Sequence, residues 1–283
     1  MPNFIHVIVV MILSLTLYTY EAQASNVVHK HAGQKEEYVV QILQKSINLS
    51  ANKKHTLSEY PEVLTKERII NETELGNINV FWAATNRELE ERFIAIRIPL
   101  YKGLFGYRLL IIKKEKQSNL SDVRQLSDLR FFKAGQGTFW EDTQILQSAQ
   151  LPVITSTKYI NLFHMLDGDR FDYFPRGIHE PWREIESWKQ FSFMVEENLM
   201  LQYQMPVYFF VSRDNPELSD SIRNGLWSLI KSGEFDELFK QNPLVANALK
   251  LAKPNNRRII KITNPNLSSS TPLDDERLWY TPN

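Results

Sequence analysis

The sequence predicts an α/β protein with largely parallel sheets and room for two modest lobes. Three observations carry that expectation. Strand-length runs of branched and aromatic residues alternate with apolar residues at helical spacing along most of the chain. At 283 residues the chain exceeds a usual single domain. Its 43% hydrophobic and 23% charged residues match an ordinary folded protein.

Phe4 to Leu17 is almost wholly apolar, broken by His6, Ser14 and Thr16. That run is short for a bilayer span, which needs roughly 20 residues. Ala22-Gln23-Ala24 follows, the small-x-small pattern of a signal-peptidase site, so residues 1–24 read as a signal peptide cleaved before Ser25. The expected location is the periplasm. Asn26 to His29 then reads as a short strand, and Tyr38, Ile42, Leu43 and Ile47 share one helix face. Leu64 to Glu74 is a second helix, stopped by Gly76 where a left-handed cap is tolerated. Ile78 to Ala83 reads as a buried strand, as does Leu109 to Ile112.

Leu120 to Leu129 is the next helix, followed by a short strand near Phe131 and a turn at Gly135-Gln136-Gly137. Further on come the helix Trp140 to Ser148, the strand Val153-Ile154 and the helix Tyr159 to Leu166. Phe171 to Phe174 and Val207 to Val211 read as strands. Leu218, Ile222, Leu226, Leu229 and Ile230 form a clean i, i+4 stripe. Asp214 and Asn215 cap that helix and Pro216 fits its first turn. Repeated βα units imply mostly parallel pairing with helices on both sheet faces. From Pro254 onward the chain is polar and proline-punctuated, and reads as a tail packing on the surface.

Lys plus Arg equals Asp plus Glu at 33 each, so no global field recruits nucleic acid or anionic lipid. The chain has no cysteine, which excludes disulfides, thiolate metal sites, a cysteine nucleophile and a lipoprotein anchor. The six histidines show no metal-ligand spacing, and there is no P-loop and no G-x-S-x-G turn. No cofactor and no metal are expected. His179-Glu180 beside Arg176 is the one acid/base pair that an enzyme reading would use, and the expectation is that the chain is not an enzyme.

Four segments in order resemble the family 3 extracellular solute-binding proteins, over roughly residues 36–245. Ile96-Arg97-Ile98-Pro99-Leu100-Tyr101 runs into a long strand like that family's first crossover. Ala134-Gly135-Gln136-Gly137-Thr138 resembles its glycine-Thr turn, and Asp169-Arg170-Phe171-Asp172 its second-lobe strand entry. Val207 to Phe239 resembles its return crossover, with Asp214-Asn215-Pro216-Glu217-Leu218 opening a helix and Gly233-Glu234-Phe235-Asp236-Glu237-Leu238 closing it. The resemblance implies a two-lobed type 2 periplasmic-binding-protein fold with two hinge crossovers. Its implied organisation is residues 25–110 with 208–250 as lobe 1, 111–207 as lobe 2, and 251–283 as the tail. It implies binding of a small solute in the interlobe cleft, as a monomer, for ABC-type uptake with an inner-membrane permease or for signalling through a sensor kinase. The alternative is a ligand-free envelope interaction protein.

Ligands of such α/β sheets sit beyond strand C-termini and at helix N-termini. Trp82, Thr85 and Arg87 follow one strand; Trp82 is either a stacking face or core. In amino-acid binders this turn carries an arginine that grips the ligand carboxylate, whereas here the better-aligned position holds Glu90. Gln136, Thr138 and Trp140 lie at the glycine turn and the helix start after it, where Thr138 is an N-cap, a ligand contact or both. Arg176 and Glu180 follow the strand at 171–174. In amino-acid binders an acid occupies this turn, so Arg176 there points to an anionic solute. The bland reading pairs Arg176 with Glu180 or Asp172. Lys102 and Arg108 flank the first crossover and either border the cleft or stay at the hinge.

Overall fold

The structure is a computed structural model that describes residues 25–33, 36–49 and 55–282. The signal peptide expected over 1–24 lies outside the described residues.

The first sheet has the order β2-β1-β3-β11-β4. Its strands are β1 (Ser25–His29), β2 (His55–Glu59), β3 (Val80–Ala84), β4 (Phe93–Ile96) and β11 (Val207–Ser212). β1 pairs in parallel with β2 and β3, and β11 lies antiparallel between β3 and β4. One face is covered by α1 (Glu37–Leu49) and α8 (Pro216–Ser232), which pack on one another. The fit is close: at Gly225 even a Cβ would come within 1.9 Å of the Ser46 carbonyl. The α8 stripe Leu218, Ile222, Leu226 and Leu229 is buried as its spacing requires, each side chain contributing about 2 kcal/mol. Asn215 caps α8, its side chain accepting from the Leu218 N–H at 3.2 Å. Gly233, with φ of +83°, ends α8 and starts α9 (Glu234–Gln241), a backbone setting that glycine adopts without strain.

The second sheet has the order β12-β10-β5-β8, with β9 (Phe193–Val195) also on β5. Here β5 is Tyr107–Lys113, β8 Phe174–Gly177, β10 Leu199–Gln202 and β12 Arg258–Lys261. A parallel bridge from Ala134 to Tyr173 adds β6 (Ala134–Gly137), which pairs in parallel with β7 (Val153–Ser156). Helices α5 (Glu141–Ser148) and α6 (Tyr159–Asp167) follow β6 and β7. Every antiparallel pair involves β5 or β11, the two strands entered from the opposite lobe. The chain passes between the sheets at 97–106 and at 203–206.

Several expectations are corrected. The crossing at 97–106 puts all of β5 in the second sheet, a few residues ahead of the boundary at 110. The helix expected over 120–129 is shorter and earlier, α4 (Gln117–Ser121). A 3-10 turn at Asp128–Phe131 stands where a strand was expected, and Phe131 is exposed. Gly135-Gln136-Gly137 is not a turn but part of buried strand β6. The strand expected at 171–174 begins at Phe174 instead. The tail is not only a surface wrap. Its Arg258-Ile259-Ile260-Lys261 forms β12, in parallel register with Leu199 to Gln202, because two branched residues there complete an open sheet edge.

The largest apolar cluster runs through both sheets. It joins Val80, Ile96 and Phe209 of the first to Leu109 and Met200 of the second, with Val245, Ala248 and Ala252 of α10 (Pro243–Ala252). The tail adds Leu278 to it, with Trp279 and Tyr280 packed against it. The Tyr280 N–H donates to the Lys102 carbonyl at 2.7 Å, and the Tyr107 hydroxyl donates to the Tyr280 carbonyl at 2.9 Å. No described helix is long and apolar enough to cross a membrane.

Candidate functional site

A cleft of about 1500 Å³ opens between the two sheets. The first lobe supplies the start of α1 at Glu36 to Gln41 and the end of β3 at Trp82 to Ala84. Tyr101 and Phe105 of the first crossover form its floor. The second lobe supplies Tyr159 at the start of α6, His179 and Glu180 after β8, and the inner face of α7 (Pro181–Ser187). The α9–α10 junction around Asn242 closes one side.

On the first wall Trp82 is 5% exposed, and its indole N–H donates to Glu36 at 2.7 Å. Lys30 pairs with the same carboxylate at 2.7 Å and lies 4.4 Å from the indole ring centroid. Trp82 therefore belongs to the core and borders the cleft only by an edge, its ring packed against Phe209 and covered by Lys30. Thr85 is buried and donates its hydroxyl to Glu90 at 2.7 Å. Glu90 also holds Arg97 at 2.7 Å, which ties up the acid at the position where a carboxylate clamp would stand. Arg87 is exposed at the start of α3 (Arg87–Arg92), outside the cleft lining.

On the second wall Arg176 is 9% exposed and fully engaged. Its Nε donates to both Glu184 oxygens at 2.9 and 2.8 Å, and its Nη2 to Glu184 at 2.6 Å and Glu180 at 2.9 Å. The rings of Trp140, Phe174 and Tyr159 surround the guanidinium at 4.9 to 5.5 Å, a cation–π box that its own arginine fills. Tyr159 donates to Glu184 at 2.5 Å. Glu180 also accepts the Gly177 N–H at 2.6 Å. His179 packs on Phe105 with centroids 4.5 Å apart. Burial, and then the charges of Arg108 and Arg176, push its imidazole down to about 4.

The remaining expected residues lie off the cleft. Arg108 is buried between Asp142, at 2.9 Å, and the Tyr203 hydroxyl, at 2.8 Å. Lys102 pairs with Asp236 under the tail, beside a separate cavity of about 300 Å³. Gln136 is fully buried in β6 and donates to the Pro175 carbonyl at 3.2 Å, its Oε1 unpartnered. Thr138 is exposed and is not the cap of α5; Trp140 holds that position with no side-chain cap bond. Of the ten expected residues, Trp82 and Glu180 line the cleft, with Arg176 and Trp140 stacked behind the second wall.

Sequence reasoning missed Glu36, Tyr159 and Glu184. Glu180 and Glu184 stand four apart, which places both on one helix face, and that spacing after Arg176 was the available signal. Among the described residues no group of His, Asp and Glu is arranged to hold a metal ion.

No protein-family model and no curated protein sequence matches the chain. Solved structures do. A probable amino-acid ABC transporter extracellular-binding protein from Bacillus subtilis is 12% identical, with a TM-score of 0.56 over 78% of this chain and 98% of that one. A Streptococcus mutans protein described for glutathione import via a cystine ABC importer is 11% identical, with a TM-score of 0.50 over 77% and 95%. A second Bacillus subtilis protein is 14% identical, with a TM-score of 0.50 over 78% and 91%. The two sheets, the paired crossings and the interlobe cleft thus make up the two-lobed fold of the family 3 extracellular solute-binding proteins.

Proposed function

We propose that the protein is exported to the periplasm and closes its two lobes on a small polar solute. Uptake through an inner-membrane ABC permease is the role this reading favours, with signalling through a sensor partner as the second. The cleft carries the reading: both lobes wall it, the crossings run beneath it, and aromatic and polar groups share its lining. A solute touching both walls stabilises the closed form by its contacts there. Trp82 from one lobe and Glu180 from the other are the proposed contacts. Support for an anionic solute came from Arg176, and its pairing with Glu184 and Glu180 withdraws that support. Catalysis finds no support either, because His179 is held neutral and its Nδ1 has no hydrogen-bond partner. The protein is proposed to act as a monomer without a cofactor.

A thermal-shift screen against amino acids, organic acids, sugars, phosphate esters and polyamines tests the reading. A ligand at 100 times its Kd adds about 2.7 kcal/mol of stability, and Trp82→Ala should abolish that gain. Silence across all five classes would reject solute binding.

A further inference from the structure

The two lobes also meet through a contact that asks for no solute. Asn86 follows β3 of the first lobe, and Glu141 opens α5 of the second. The Asn86 amide donates to Glu141 Oε1 at 3.1 Å. We infer that this pair is a latch between the lobes, tighter when the Glu141 carboxyl carries its proton. The pair lies outside the lining of the large cleft, so it acts on closure and leaves solute contact to other residues.

Each partner is tied to the second crossing by its chain neighbour. The Thr85 N–H donates to the Pro206 carbonyl at 3.0 Å. On the other side, Asp142 accepts from the Tyr203 hydroxyl. With both residues anchored at 203–206, a swing of the lobes about that crossing changes the gap between the Asn86 and Glu141 side chains. Asn86 is also oriented for the task. Its Oδ1 accepts the Leu89 N–H at 2.9 Å as the cap of α3, which leaves its amide N–H groups for the other lobe.

Glu141 makes the latch sensitive to protons. Its Oε1 has Asn86, but its Oε2 is buried with no hydrogen-bond partner. A carboxylate in that setting is deprived of water that an open cleft would return to it. The charged groups facing it are Lys66, at the exposed start of α2 (Lys66–Glu74), and Asp142, whose charge Arg108 meets at 2.9 Å. Burial outweighs the Asn86 bond and Lys66, and raises the carboxyl above its ordinary value. The latched form therefore binds this proton more tightly than the open form. Acid favours latching, and rising pH favours release.

The chain has no cysteine, so a labelled pair can report the distance between the lobes. Leu75→Cys in the first lobe and Phe131→Cys in the second replace exposed side chains. Nitroxide labels on both give the interlobe distance by pulsed dipolar EPR, from pH 5 to pH 8 with no solute added. The short-distance fraction should fall severalfold as pH rises, and Glu141→Gln in the same background should hold it high throughout. Glu141→Ala, which removes the acceptor, should lower it at pH 5 as well. Matching distance distributions for the parent and Glu141→Gln at every pH would overturn the latch. A pH response that persists in Glu141→Gln would overturn it too, since another group would then carry the titration.

Discussion

His179 and Arg176 sit within one small region and respond to opposite needs. An imidazole held down to about 4 by burial and two guanidiniums stays neutral while an unfolded histidine, near 6.5, takes up a proton. Between those values the unfolded chain binds the extra proton, so stability is complete above about pH 6.5 and is lost as pH falls towards 4. Urea titrations at pH 7, 5.5 and 4 should show a loss of about 3 kcal/mol from this group, and His179→Phe should flatten the slope in that window. Arg176 is the opposite case, a charge that persists because two acids surround it. Arg176→Ala leaves Glu184 half-buried without its partner and should cost about 3 kcal/mol in the same assay, whereas replacing Arg176 and Glu184 together by apolar residues should recover most of that. The sequence showed Arg176 and Glu180 side by side and left the pair open as a bland alternative. The four-residue spacing of Glu180 and Glu184 was the one signal for Glu184, and it does not by itself say that α7 turns its inner face back onto β8.

At the scale of elements, the loop after β3 meets the start of α5. The Asn86 side chain donates to Glu141 at 3.1 Å, one residue from each lobe. Burial raises the Glu141 carboxyl above its ordinary value, and its Oε2 has no hydrogen-bond partner. A carboxyl raised in the folded state destabilises it when ionised, and that penalty is relieved as pH falls. Glu141→Gln keeps an acceptor for Asn86 and removes the charge. Its Tm should therefore rise by a few degrees at pH 7, with the gain fading towards pH 4. Elements with strong local signals were legible: β3, β5 and β11 are unbroken branched or aromatic runs, and α1 and α8 carry clean apolar stripes. β6 was not, because Ala-Gly-Gln-Gly has no strand preference of its own. Its parallel ladder with β7 and the closeness of Phe171 to Gly135 fix it, and both are tertiary facts. Gly106 is similar. The chain approaches the Tyr203 carbonyl so closely there that a Cβ would stand 1.9 Å away, and the need for glycine appears only once the two crossings are side by side.

Across the whole molecule, the α/β alternation was legible in the residues and the two-lobed plan in the family resemblance of the two crossover segments, but the path of the last 30 residues was not. They leave α10, add β12 to the second sheet, and return to the first crossover. There the Trp279 ring packs on Gly103 and its N–H donates to the Pro272 carbonyl at 2.8 Å. Arg277 lies 4.9 Å from the Trp227 ring of α8. Trp279→Ala should cost about 2 kcal/mol for a half-buried indole. The radius of gyration measured by small-angle X-ray scattering should also increase, as the clasp across the hinge loosens; an unchanged radius would mean that the tail only covers the surface.

The link from α10 into β12 has a mechanical consequence. Tyr107 of β5 is paired with Gln202 of β10, so the first two connections enter the second sheet at nearly one point. Two such neighbouring attachments form a pivot that allows swing and torsion alike. The third connection enters at Arg258, opposite Leu199, about 10 Å along the strand from that pivot. It braces the pivot as a third leg steadies a stool. Torsion of one lobe against the other would drag β12 or strip α10 from its packing, so the motion left to the molecule is a short, guided stroke along one path.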